Sequence, residues 1–152
     1  FCADHDSQVD RVELRVSETV PVRKLARDPD EIETSLENGP MVRLVDVAEG
    51  LPALTAGEAD AELEIEVEDP LADWNDGRFV LEATDGAATC ERVDSDGQPD
   101  ATLDIGALSQ LAVGTRSASA LAYAGRLEAD DRTVAVLEGF FPEDDVYLGH
   151  HF

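Results

Sequence analysis

Basic residues are scarce in this chain. Of its 152 residues 11 are Lys or Arg, with Lys24 the single lysine, against 35 Asp or Glu. The net charge of -24 and pI near 4.1 exclude the basic face that nucleic acids require, so no nucleic-acid partner is expected. Cysteine is equally sparse. Cys2 and Cys90 allow at most one bridge and form no CxxC, which points to two free thiols and to no metal or redox centre. No stretch reaches 18 consecutive apolar residues, and the opening Phe1-Cys2-Ala3-Asp4 lacks the basic-then-apolar layout of a signal peptide. The expectation is a cytoplasmic protein with no membrane partner. Also missing is a glycine-containing loop that could cradle a pyrophosphate at a helix N-terminus. The closest glycines, Gly50 and Gly57, are seven apart, so no residue here is assigned to a nucleotide cofactor.

Acidity of this degree reads as disorder unless hydrophobic residues oppose it. Here they make up 43% of the chain and fall in periodic segments. The acids then coat a folded surface, and an acidic, lysine-poor coat is tolerable where salt screens it, as in a halophile.

The organising stretch is Ala61 to Thr84. Ala61, Leu63, Ile65 and Val67 alternate with Glu62, Glu64, Glu66 and Glu68, the period of a strand with one wet face; on a helix no apolar stripe would survive. Phe79, Leu81 and Ala83 continue the alternation up to Asp85-Gly86, a two-residue hairpin turn. Further strands are predicted over Ala87–Val93 and around Ala101, Leu103 and Ile105, giving a four-strand antiparallel meander. Its cover follows. Asp104 caps a helix carrying Leu108, Leu111 and Ala112 that closes at Gly114; Ser117 starts a second, ending at Gly125; Asp130 or Asp131 starts a third, with Val134, Leu137 and Phe141 on one stripe, stopped by Pro142. The fold class is α+β, a mostly antiparallel sheet covered on one face by helices.

Ahead of the meander, residues 1–10 read as a helix end, Val12–Val16 as a strand, Val22–Arg27 as a helical turn after Pro21, and Ile32–Leu36 and Met41–Val45 as strands, the last apolar throughout and therefore buried. Asp46 caps a short helix to Leu51. Residues 1–43 hold six bases and ten acids, the remainder five and twenty-five, which places a boundary near Asn38.

Several features carry candidate chemistry. Asp94-Ser95-Asp96-Gly97 opens like a calcium loop, but that template would put Pro99 at its glycine and Ile105 at its bidentate glutamate, so a hairpin turn is expected. Trp74, with Asn75 and Gly77, either lines a pocket or anchors packing between two strands. Arg43 and Asp46 either pair or are solvated, and His5 has no assigned role. The end, Val146-Tyr147-Leu148-Gly149-His150-His151-Phe152, has apolar surface enough to dock, against the frayed end usual for termini. Adjacent histidines rarely share one metal, and no metal ligand is assigned.

The order of these pieces resembles the sterol carrier protein fold. More narrowly, Pro40-Met41-Val42-Arg43-Leu44-Val45-Asp46-Val47, Asp69-Pro70 with Trp74-Asn75 and Gly77-Arg78-Phe79, then Ala88-Thr89-Cys90 and a final phenylalanine, resemble the C-terminal domain of the Eis (enhanced intracellular survival) N-acetyltransferases. The resemblance implies that residues 1–38 are the tail of a preceding GNAT-type acetyltransferase domain and 39–152 a sterol carrier protein-like domain. It implies that the parent enzyme moves acetyl from acetyl-CoA, its cosubstrate, to a small-molecule amine. This fragment would not itself bind acetyl-CoA. Implied partners are the upstream acetyltransferase domains and further copies in a homo-oligomer. By the same resemblance the Phe152 terminal carboxylate is the general base, a tyrosine of the first domain the acid, and Trp74 and His151 part of the amine pocket. Some members carry an acid where His151 stands, which points to a different amine. Two other functions stay open: a carrier whose Leu63, Ile65, Phe79, Leu81, Leu108 and Leu121 line a lipid tunnel rather than fill a core, and a structural assembly domain.

Overall fold

A computed structural model describes residues 11–17, 19–37, 39, 41–55 and 60–146. The chain divides into two compact units, and Met41–Val146 forms the larger. In the smaller, the described residues are irregular apart from helix α1 (Val22–Leu25) and a 3-10 turn at Pro29–Glu31. The helical turn after Pro21 is therefore present, but the strands expected over Val12–Val16 and Ile32–Leu36 are not. Alternation specifies a strand only where a neighbour completes its ladder, and here Val12 and Leu14 stand exposed.

The larger unit opens with α2 (Val47–Leu54) and continues as β1 (Ala61–Glu68), β2 (Gly77–Thr84), β3 (Ala87–Val93), β4 (Ala101–Asp104), α3 (Ile105–Ala112), α4 (Ala118–Tyr123), β5 (Leu127–Ala129) and α5 (Asp131–Phe140). The five strands form one sheet in the order β3-β2-β1-β4-β5. β1, β2 and β3 pair antiparallel, β2 and β3 through the Asp85-Gly86 turn, whose φ values of 52° and 80° are those of a tight hairpin. β4 departs from the expected meander, because it lies on the far side of β1 and parallel to it. Asp94–Asp100 is thus not a hairpin turn but a connection from one side of the sheet to the other. β4 starts at the level of Ile65, close to the level of Glu66 where β3 ends. The link therefore spans only about three strand spacings, roughly 14 Å, within reach of seven residues. The Arg78 guanidinium, on the wet face, donates to the Gly97 carbonyl as well as to Glu64 (3.0 Å), so the link crosses that face. Asp100 docks on β1 by donating its N–H to the Glu64 carbonyl and accepting the Glu64 N–H on its carboxylate, both at 2.8 Å.

Register explains the core. Leu63 pairs with Leu81, and Leu81 with Cys90; Ile65 sits between Phe79 and Ala101; Val67 pairs with Leu103, and Leu103 with Leu127. All these side chains share one face and are buried in a single cluster with Val47, Leu51, Leu108, Leu111, Leu121, Leu137, Phe140 and Phe141. Each covering helix starts at an N-cap read from the sequence. Asp46 accepts from Glu49 N–H (3.0 Å), Asp104 from Ala107 (2.8 Å), Ser117 from Ala120 (3.3 Å) and Asp130 from Thr133 (2.7 Å). Gly114 and Gly125 close α3 and α4 with φ of +76° and +69°, where glycine alone is unstrained. The structure is α+β with a mixed sheet, helices on one face and carboxylates on the other.

Candidate functional site

The segment Met41–Val45 is not the buried strand its composition suggests. Met41 is fully exposed and Val45 is 73% exposed; only Leu44 goes inside. Its backbone groups are taken by side chains instead of a ladder. Leu44 N–H donates to Ser109 Oγ (2.9 Å), which donates to the Ile105 carbonyl (2.6 Å) and so ties the segment to α3. The Val45 carbonyl accepts from both Trp74 Nε1 (2.9 Å) and Asn75 Nδ2 (3.0 Å).

Those two donors belong to the loop between β1 and β2, Asp69–Asp76, built on a buried carboxylate. Asp69 accepts from Arg43 Nη2 on both oxygens (2.6 Å each), from Leu71 N–H (3.0 Å) and from Asn75 Nδ2 (3.2 Å). Asn75 Oδ1 in turn accepts Val47 N–H (3.0 Å), a free donor of the first turn of α2. Asp76 accepts the Asp69 N–H (2.9 Å), and Arg92 donates to the carbonyls of Asp73 (2.9 Å) and Asp76 (2.6 Å). Gly77, at φ +138°, leaves room for that guanidinium: a methyl group there would lie 2.9 Å from Arg92 Nη2. Burial pushes the Asp69 carboxyl up, but the bonds from Arg43, Leu71 and Asn75 outweigh it and hold the group below the usual carboxylate range. Asp69 is therefore a fixed anion with its acceptors filled, and no proton carrier.

The frame presents an apolar face. Trp74 is 60% exposed and Leu71 81%, beside the outward Val45. Trp74 is thus not a buried packing anchor; its indole N–H is committed to the Val45 carbonyl and most of the side chain is exposed. Arg43 does not pair with Asp46: it reaches Asp69, and Asp46 caps α2. Nothing in the sequence signals that Asp69, Asn75 and Arg43 form one network, because the three lie 6 to 32 positions apart.

Phe152 and His151 lie outside the described residues, as do His5, Cys2 and Tyr147–His150. Cys90 is a free, buried thiol whose pKa is pushed up to about 12 by desolvation and by the charges of Asp46 and Glu91, which leaves it inert. The six residues that a lipid tunnel would need, Leu63, Ile65, Phe79, Leu81, Leu108 and Leu121, are all buried in the one hydrophobic cluster. The larger of the two described cavities, about 450 Å³, lies on the wet side and is lined instead by Glu66, Asp100, Thr102, Glu128, Asp130 and neighbours.

The model of the sterol carrier protein domain matches residues 47–149, from the first residue of α2 past the last helix. The chain belongs to the sterol carrier protein domain family. Its relatives carry that domain in longer proteins. An uncharacterized N-acetyltransferase of Streptomyces coelicolor is 38% identical over 114 residues, covering 73% of this chain and 27% of the relative. Among solved structures, a GCN5-related N-acetyltransferase from Kribbella flavida superposes with a TM-score of 0.63 at 27% identity, over 72% of this chain and 28% of that one. Eis1 from Mycobacterium abscessus gives 0.59 at 26%, over 72% and 27%. The chain thus spans about a quarter of the length of the proteins it matches. Among the described residues no helix is long and apolar enough to cross a membrane, and no three His, Cys, Asp or Glu are grouped to hold a metal.

Proposed function

We propose that this sterol carrier protein domain is the C-terminal part of an Eis-like N-acetyltransferase that moves acetyl from acetyl-CoA to a small-molecule amine. The observation that carries the reading is the 38% identity to a protein named an N-acetyltransferase, of whose longer chain the match covers 27%. In this reading acetyl-CoA is held by upstream domains, and this part contributes the Phe152 carboxylate as base. The carboxylate takes a proton from the amine as its nitrogen attacks the thioester carbonyl. The C–N bond forms, the C–S bond breaks, and an acid on an upstream domain protonates the departing sulfur. A terminal carboxyl ionises near 3.3–3.7 in water, too low for an efficient base at neutrality; desolvation between apolar walls raises it. Trp74 and His151 are assigned to the amine pocket, and an indole held by the Val45 carbonyl and left exposed fits that role for Trp74. The intact enzyme works in the cytoplasm of a halophile as a homo-oligomer.

The test is acetylation of an amine panel by the longer protein that carries this chain. Turnover requiring both acetyl-CoA and an amine is expected. A longer protein that transfers no acetyl group and copurifies with lipid would establish the carrier function instead.

A further inference from the structure

The core-side positions of β3 run Ala88, Cys90 and then Arg92, which stands opposite Phe79 where the alternation calls for an apolar residue. Breaks of this kind in an otherwise consistent pattern gather at functional positions. Arg92 is exposed on the edge strand, and its guanidinium reaches the loop that carries Trp74. Nη1 donates to the Asp73 carbonyl (2.9 Å) and Nη2 to the Asp76 carbonyl (2.6 Å), so the two bonds bracket Trp74 and Asn75. The Asp73 carbonyl shares its rigid peptide plane with the Trp74 nitrogen. Trp74 is therefore held at both ends, its backbone by Arg92 and its ring by the bond from Nε1 to the Val45 carbonyl at 2.9 Å. Gly77 seats the guanidinium: at φ +138°, a methyl group on it would lie 2.9 Å from Nη2 and 3.4 Å from both Cζ and Nε.

Stability does not explain the arrangement. Both Arg92 bonds are exposed to solvent, where water takes over a carbonyl at little cost, in contrast to the buried bonds of Asn75. What Arg92 adds is the orientation of an indole that is 60% exposed. We propose that Arg92 is a positioning residue for amine recognition, which fixes the peptide before Trp74 and so holds the exposed indole face where the amine meets it. This rests on the acetyltransferase reading and on the place of Trp74 in the amine pocket. An ammonium over an indole face gains roughly 2- to 30-fold in affinity, and the gain is lost as the ring swings away. A planar fork reaches both carbonyls at once; lysine in its place keeps the charge and loses the hold.

The experiment compares Arg92→Lys, Trp74→Ala and the double variant. In the 152-residue chain, whose one tryptophan is Trp74, Arg92→Lys is expected to at least double the amplitude of fast indole rotation in time-resolved fluorescence anisotropy, while the melting point falls by less than about 4 °C. In the longer protein it should raise the KM for the preferred primary amine of the panel at least threefold and leave kcat and the KM for acetyl-CoA within twofold, the mark of lost uniform binding. Trp74→Ala should raise the same KM by about tenfold. Adding Arg92→Lys to it should then cost less than twofold more, because both changes act through one ring. An amine KM that stays within twofold in Arg92→Lys, an unchanged anisotropy, effects that multiply in the double variant, or a larger drop in melting point would each overturn the role of Arg92 alone. A Trp74→Ala protein with the original amine KM would overturn the place of Trp74 in the pocket and the purpose of Arg92 with it. A longer protein that transfers no acetyl group would overturn the acetyltransferase reading on which both depend.

Discussion

Replacing Asn75 by alanine tests the frame beneath Trp74. The buried amide makes three bonds, accepting Val47 N–H and donating to the Val45 carbonyl and Asp69. Two of the partners are covered when it goes, since Val45 keeps the Trp74 indole and Asp69 keeps Arg43 and Leu71 N–H. The group left orphaned is Val47 N–H. A buried N–H without a partner costs about 1–3 kcal/mol, and the space vacated by the amide adds about 1 kcal/mol. The sum, about 2–4 kcal/mol, corresponds to a melting point lower by about 8–16 °C for a domain near a hundred residues. Asn75→Asp keeps the acceptor for Val47 but faces Asp69 and the Val45 carbonyl with a second carboxylate oxygen. It should be at least as damaging as alanine at pH 7 and recover as the pH falls and the new carboxyl takes a proton. Thermal melts of the three proteins at pH 7 and pH 5 decide it. A drop under about 4 °C for Asn75→Ala, or an Asn75→Asp protein indistinguishable from wild type at pH 7, would refute this account of the loop.

Asp69 has a folded pKa below its unfolded value of about 3.9, so its contribution is complete above that value and is lost as the pH falls through the folded one. Asp69→Asn should therefore flatten the acid limb of stability below about pH 4, and an unchanged slope in acid titrations would count against the pairing with Arg43. Stability should rise with potassium chloride, because the Debye length shrinks to about 3 Å at 1 M and screens the net charge of -24; melting points indifferent to salt would remove the halophile explanation. The isolated chain should not bind acetyl-CoA, and micromolar binding by calorimetry would show that the cofactor site has been misplaced.

Most of the larger unit was legible, because each element carried its own local signal. The alternation of Glu62–Val67 marked a one-sided strand, Asp85-Gly86 the hairpin of β2 and β3, and Asp46, Asp104, Ser117 and Asp130 the helix starts. What was lost depended on distant partners. The side of β1 that β4 joins follows from where the Asp94–Asp100 link lands, and three-residue β5 is too short to show a period. Met41–Val45 failed as a strand for a similar reason: its backbone partners are side chains of Ser109, Trp74 and Asn75, dozens of positions away. The candidate site was legible as residues but not as a network. Trp74 was singled out, while the Arg43, Asp69 and Asn75 bonds that hold its loop came only with the fold. Phe152 and His151 rest on resemblance.

The central claim, that this domain ends in a catalytic carboxylate, is met most directly at Phe152. One glycine added after Phe152 in the longer protein moves the terminal carboxylate by up to about 3.6 Å, beyond hydrogen-bond reach of the amine, while leaving the side chains in place. With the oligomer and melting point unchanged, turnover of the preferred amine should fall by about 10² to 10⁴-fold, the usual cost of losing a general base. A fall of less than about tenfold would contradict the claim.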